Sequence, residues 1–206
     1  MTFTNILKKR DFTLTKFEEY TQIVRNRLSD YRFYHSLCVS DSSRELARRY
    51  GADEEKAMIA GILHDATKET DEKTQLELIE KAGMKVTELE RSQTKFFHQL
   101  SGAAFAKCEL GIEDEEIISA IRYHTTGHSN MTLMEEIIYL ADFISADRNY
   151  PDIDEIRKQT ERGKEYGLLY ATKYTIKSVV DKGKILHPDT VDAYNYFLKT
   201  YFYDKR

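Results

Sequence analysis

Tryptophan is missing from these 206 residues. Proline, cysteine and glycine are scarce: Pro151 and Pro188, Cys38 and Cys108, and nine glycines. With so little turn punctuation and almost no strand-type alternation, sheet folds have little to build on. The two cysteines lie far apart in no metal-type spacing, which fits a reducing compartment. No apolar run approaches the roughly 20 residues of a membrane span. The start, MTFTNILKKRDF, has neither the apolar core nor the cleavage site of a signal peptide. A cytoplasmic protein is the expectation. Positive charge is not in excess: a net charge of −4 and a pI near 5.9 argue against a dedicated binder of nucleic acid or anionic membrane. They leave room for a local basic pocket that takes a phosphorylated small molecule. A Walker loop, GxGxxG and HExxH are all absent. Ser40, Ser42 and Ser43 have no nucleophile-elbow context, so serine-hydrolase chemistry has no support.

What is present is helical. Leu, Ile, Ala, Glu and Lys dominate at a 3–4 residue apolar spacing, which points to an all-α fold. Hydrophobic residues at 41% and charged residues at 32% suit an ordinary globular protein, and 206 residues suit one sizeable domain. A polar leader over 1–16 is expected to precede a single domain over 17–206. Phe17 to Leu28 reads as a first amphipathic helix. Asp30 is the expected N-cap of a second, which stops at Gly51. Asp53, Asp71, Asp114 and Thr132 each open a further helix, and a small-residue helix from Ser101 to Leu110 can pack closely. Residues 84–97 read as a short helix or a loop. The tail after Pro151 gives three amphipathic helices. Its aromatic end, Tyr194 to Tyr203, suits intramolecular packing or a homodimer face, with packing expected.

The chemistry centres on MIAGILHDATKE, residues 58–69, where His64 and Asp65 follow a run of buried-type residues. An unpartnered buried charge costs several kcal/mol, so the pair calls for compensation, and a divalent metal would supply it. Asp142 is the second anomaly, interrupting Ile137 to Ile144 in the most apolar helix. A lone His35, His98 or His124 would read as a hydrogen-bonded structural residue. His128 reads as a solvated bystander and His187 as a turn residue. Taken together, mixed nitrogen and oxygen donors suit iron, manganese, cobalt or zinc rather than calcium.

The order His35, His64-Asp65, Asp142 resembles the HD superfamily of metal-dependent phosphohydrolases. RFYHSLCVSDSSRELARRYGADEEKAMIAGILHDATKE and AIRYHTTGHSNMTLMEEIIYLADFISADR are similar to the YqeK family within it, and the similarity covers roughly residues 17–200. The resemblance implies an HD-domain helical bundle that splits diadenosine tetraphosphate symmetrically into two ADP. It implies metal ligation by His35, His64, Asp65 and Asp142, with iron as the ion, one or two per chain. Nucleotide contacts would fall on Arg32, Lys68, His98, His124, Thr125 and Arg148. Asp65, Lys68, His98 and His124 would carry the chemistry: Asp65 bridging metals, Lys68 pairing with a phosphate from a continuing helix, and a protonated His98 or His124 easing the departure of ADP. Where the family pattern has proline and asparagine before the arginine, this chain has Ser145, Ala146 and Asp147. Two rivals remain: an HD phosphatase for another nucleotide, and a non-catalytic nucleotide-binding regulatory module.

Overall fold

Helix starts follow the capping residues. The computed structural model describes residues 15–204, all helix, turn or loop with no strand among them. The expected leader lies outside the described residues except for Thr15 and Lys16, which are the N-cap and first residue of α1 (Lys16–Arg25). Asp53 opens α3 (Glu54–Leu63) by accepting from Lys56 N at 3.0 Å, and Asp71 opens α4 (Glu72–Lys81) in the same way. Asp114 caps α7 (Glu115–Tyr123). Thr132 forms a capping box with Glu135 at the head of α8 (Leu133–Ile144).

Two expectations change. Ser29, not Asp30, is the N-cap of α2 (Asp30–Tyr50), and its side chain does not cap the helix. Instead the Ser29 amide and hydroxyl donate to the Glu69 carboxylate at 2.6 and 2.7 Å. An anion from the turn after α3 therefore sits at the positive end of α2. The small-residue helix begins earlier than expected, as α6 (Phe97–Cys108), so His98 lies inside its first turn. Residues 84–97 hold the five-residue α5 (Glu88–Ser92) and a 3₁₀ turn, Thr94–Phe96. The tail forms α9 (Ile153–Arg162), α10 (Lys164–Asp181) and α11 (Pro188–Leu198), followed by a π-turn, Lys199–Tyr203.

One apolar cluster runs from Tyr20 in α1 to Phe197 in α11. α2 packs on α3 and α8, α3 also on α7, and α6 on α4 and α7. Ile62, Leu63, Ile137 and Ile138 are almost wholly buried, each contributing about 1.5–3 kcal/mol of transfer free energy. The aromatic tail packs intramolecularly: Phe197 is buried and stacks on Tyr201, whose hydroxyl donates to Glu136 at 2.6 Å. No helix among the described residues is long and apolar enough to cross a membrane.

Two glycines set how closely the site-bearing helices approach. A Cβ on Gly61 would meet Ser40 Cα at 2.8 Å and Ser43 Oγ at 2.9 Å, which locks α3 against α2. A Cβ on Gly102 would lie 3.2 Å from the His64 carbonyl. Because the first obstacle at Gly61 is backbone, Gly61→Ala is expected to cost about 1–3 kcal/mol. Thermal melts should show a Tm lower by several degrees; an unchanged Tm would mean that α2 and α3 separate freely.

Candidate metal centre and nucleotide pocket

α3 ends at Leu63, and His64 is its C-cap. The chain then continues in successive i→i+3 turns, with Ala66 N bonded to Leu63 O, Lys68 N to Asp65 O and Thr70 N to Thr67 O. The continuing helix expected beneath Lys68 is therefore absent. The tighter turns still bring Lys68 Nζ to 3.5 Å from Asp65 Oδ1, because residues three apart eclipse in a 3₁₀ turn. Thr67 buttresses this turn from behind, bonding Ser101 Oγ at 2.7 Å and donating to His98 O at 3.1 Å.

Four buried imidazoles line up edge to face: His35 to His64 at 5.2 Å between centroids, His64 to His124 at 4.9 Å, His124 to His98 at 5.1 Å. Their orientations share one cause. Nδ1 of His64, His98 and His124 each donates to the carbonyl three residues upstream, on Gly61, Lys95 and Ile121, at 2.7–2.8 Å. A carbonyl only accepts, so the proton is on Nδ1 and the Nε2 lone pair faces the site. Nδ1 of His35 donates to Asp147 Oδ2 at 2.9 Å instead.

The Nε2 atoms converge on two carboxylates. His35 Nε2 lies 3.0 Å from Asp142 Oδ1, and His64 Nε2 lies 3.9 Å from the same oxygen. His64 Nε2 is also 3.6 Å from Asp65 Oδ2, while His98 and His124 stand 3.6 and 3.5 Å from Asp65 Oδ1. Two groups able to hold a metal ion result: His35, His64 and Asp142, and His64, Asp65 and His124, sharing His64. His64 Nε2 and Asp65 Oδ1 are buried with no hydrogen-bond partner. The Nε2 lone pairs of His64 and His124 facing a buried carboxylate are what a divalent transition ion satisfies, so the donor set fits one.

The charges around this set are polarised. Burial pushes Asp65 up, but the surrounding His64, Lys68, His124 and His98 outweigh it and hold the carboxyl well below the usual range. Asp142 is likewise well below, because Arg148 and the bond to His35 outweigh burial. Burial brings His64 down to about 4. Burial lowers His35 too, yet its bonds to Asp142 and Asp147 raise it to about 9. His98 falls well below its ordinary value through burial and the neighbouring Lys68 ammonium. A protonated His98, one of the expectations for leaving-group chemistry, does not fit this setting.

The remaining expected residues gather at the same place. Arg32, one turn before His35, reaches Asp65 Oδ2 at 3.3 Å. With Nδ1 protonated, His98 Nε2 accepts from Lys68 Nζ at 2.8 Å, and it lies 2.9 Å from Thr125 Oγ1. Arg148, expected as a nucleotide contact, is engaged with Asp142: Nε donates to Asp142 O at 2.8 Å and Nη2 to Asp142 Oδ1. His128 is no solvated bystander, since it is half-buried against the Tyr123 ring, 3.1 Å from Glu135. His187 is structural, as expected, and caps α11.

Sequence reasoning missed two residues. In the sequence Asp147 is only a departure from a pattern, whereas in the fold it bonds His35. Arg157, from α9, donates to the carbonyls of Ile144, Ser145 and Arg148 at 3.1, 2.7 and 3.3 Å, clamping the loop that carries Asp147 and Arg148. Nothing in a single sequence marks that contact.

A cavity of about 250 Å³ adjoins the centre, with Lys68, His98 and Thr125 at one end and Phe96, Ile185 and Leu186 among its walls. Cations and hydroxyl beside apolar walls suit phosphate followed by a nucleoside. A larger cavity of about 450 Å³, lined by Glu45, Arg49, Arg157 and Glu161, contains none of the site histidines, so the smaller is the better candidate.

Comparison with known proteins identifies the family. The HD domain family model matches residues 32–147. The symmetrical bis(5'-nucleosyl)-tetraphosphatase of Bacillus subtilis (strain 168) is 36% identical over 181 residues, covering 88% of this chain and 97% of that protein. The protein of the same name from Halalkalibacterium halodurans is 34% identical, over 86% and 94% of the two chains. A crystal structure from Clostridium acetobutylicum, described as a predicted HD superfamily hydrolase involved in NAD metabolism, superposes with a TM-score of 0.86 at 37% identity, covering 90% of this chain and 98% of that one. The chain belongs to the HD domain family and, within it, to the group of the symmetrical bis(5'-nucleosyl)-tetraphosphatases.

Proposed function

We infer that this protein is a metal-dependent hydrolase that cleaves diadenosine tetraphosphate, and related dinucleoside polyphosphates, symmetrically to two ADP. The observation that carries this reading is the pair of His/Asp groups sharing His64, opening beside a cavity whose near end bears Lys68 and Thr125. The names of the relatives supply the substrate. His35, His64, Asp65 and Asp142 would hold a divalent transition metal, which we take to be iron, as one ion or as two, with His124 a further candidate ligand. When bound, such an ion would supply Lewis-acid stabilisation of the polyphosphate charge and a lowered pKa for water.

The chain's own residues do the rest. The polyphosphate carries several negative charges that must be neutralised and aligned for in-line attack. Lys68 and Arg32 stand on either side of Asp65 and offer ammonium and guanidinium to the phosphates. Neutral His98, by accepting from Lys68, aims that ammonium; this positioning replaces the proton donation the resemblance suggested for His98. Thr125 adds a hydroxyl that can donate to a phosphate oxygen. Arg148 holds Asp142 and adds positive charge at that end. We place the enzyme in the cytoplasm, as one domain over 17–206, with free nucleotide as its partner rather than nucleic acid or membrane. A homodimer has less to draw on, since the tail packs on its own chain.

The direct test is nucleotide chromatography combined with elemental analysis of the purified protein. Two ADP per diadenosine tetraphosphate consumed supports the reading, and AMP plus ATP counts against it. The description of the Clostridium neighbour makes NAD the natural rival substrate; faster turnover of NAD would select the alternative of an HD phosphatase for another nucleotide. Binding without turnover would leave the regulatory module. Within the proposed reading, Lys68→Ala is expected to lower kcat/KM by roughly 10- to 100-fold, the usual worth of a hydrogen bond to a charged group, with metal content unchanged. Loss of metal from that variant would assign Lys68 to holding the centre together.

A further inference from the structure

We propose that Asp147 is a positioning residue for the metal centre, one whose carboxylate fixes the His35 ring and makes His35 the most strongly donating of the imidazoles. The inference rests on the metal reading above. His64, His98 and His124 sit at helix ends, where a ring can turn back to the carbonyl three residues upstream. His35 lies in the body of α2, where those carbonyls are taken by the helix. Its Nδ1 partner comes instead from 112 positions along the chain, as a charged acceptor at 2.9 Å. The Asp147 side chain is only 4% exposed, and its other oxygen is buried with no hydrogen-bond partner. His35 is its strongest partner, and Ser145 and Arg148 also act on the carboxylate.

The delivery of Asp147 is built into the fold. Three carbonyls of residues 144–148 are held by Arg157, and the Tyr150 hydroxyl donates to Phe143 O at 2.7 Å. The loop is thus pinned at both ends around Asp147. A carboxylate on the far nitrogen of a ligating histidine fixes its tautomer and raises its basicity, and losing such a partner commonly costs 10- to 100-fold in metal affinity. An asparagine here would keep an acceptor but not the charge.

The test is Co²⁺ affinity of the full chain by chelator competition, with the visible spectrum of bound Co²⁺ and the Tm of the chelator-treated protein as parallel readouts. Asp147→Asn is expected to weaken Co²⁺ binding about tenfold and Asp147→Ala about 100-fold. Both should alter the Co²⁺ spectrum while the metal-free Tm stays within a few degrees of wild type. Wild-type affinity in both variants would overturn the role of Asp147 and leave the metal centre standing. A fall in metal-free Tm that tracks the loss of affinity would also overturn it, since Asp147 would then only hold the loop. A wild-type chain that binds no Co²⁺ would sink the metal reading itself, and the proposal with it.

Discussion

Asp65→Asn is expected to lower kcat/KM on diadenosine tetraphosphate by about three orders of magnitude or more, with loss of bound metal and a retained helical circular dichroism spectrum. The argument is one of charge. Oδ1 of Asp65 faces Lys68, His98 and His124 at 3.5, 3.6 and 3.5 Å, and Oδ2 faces Arg32 and His64 at 3.3 and 3.6 Å. Among the described residues, no other carboxylate touches so many of the site's nitrogens. Asparagine keeps the shape and removes the charge, so a cation entering the second group would meet two imidazoles, an ammonium and a guanidinium with no anion among them. Metal-derived stabilisation of phosphoryl-transfer charge amounts to several kcal/mol, and about 4 kcal/mol is a thousandfold in rate. Activity within tenfold of wild type, with metal retained, would remove Asp65 from the centre of the mechanism.

Why Asp65 was visible in the sequence, while much of its setting was not, has a physical basis. A carboxylate after an apolar helical run is costly without a partner, and that cost shows in one dimension. The same holds for Asp142 within Ile137–Ile144. Helix starts were legible for a similar reason, since Asp53, Asp71, Asp114 and Thr132 satisfy amide groups within three residues of themselves. At Ser29 the local rule failed, because the acceptor at the head of α2 is Glu69, 40 residues on. The helix under Lys68 failed because the chain tightens into 3₁₀ turns against α6, where Gly102 permits close approach to the His64 carbonyl.

The site's finer logic is tertiary. Three imidazoles donate Nδ1–H to a carbonyl three residues back, a local contact that depends on ring rotamer and leaves no pattern in residue types. The Lys68–His98 bond joins two elements 30 residues apart, and Arg157 reaches carbonyls that carry no sequence identity at all. The motif order and the resemblance pick out the candidate ligands. What orients them is set by ring rotamer and by contacts between distant parts of the chain.

Glu90 is the clearest case of a residue that one-dimensional reading passes over, and it carries the second large expectation: Glu90→Gln should destabilise the fold by about 3 kcal/mol near neutral pH, with the deficit shrinking as pH falls. Glu90 is fully buried in the five-residue α5, where its Oε1 accepts from Arg122 Nη2 at 2.8 Å and lies 3.7 Å from His187 Nε2. Burial pushes its carboxyl up, but the nearby His187, the bonds from Thr87 and the Arg122 charge outweigh it and bring the value from 4.5 to about 2. A folded value below the unfolded one means that the unfolded chain takes up the proton first. The stabilisation is therefore complete above about pH 4.5 and is lost as pH falls through about 2, and a displacement of that size corresponds to about 3 kcal/mol. Glutamine cannot ionise, so the variant lacks this contribution at every pH. Urea melts of both proteins at pH 7, 5 and 3 should show curves that converge on acidification; a constant gap would mean that packing rather than charge ties α5 in place. The effect should reach the nucleotide as well. His187 caps α11 and packs on Phe96 at 4.9 Å, and both line the cavity beside Lys68. Loosening Glu90 should therefore raise KM.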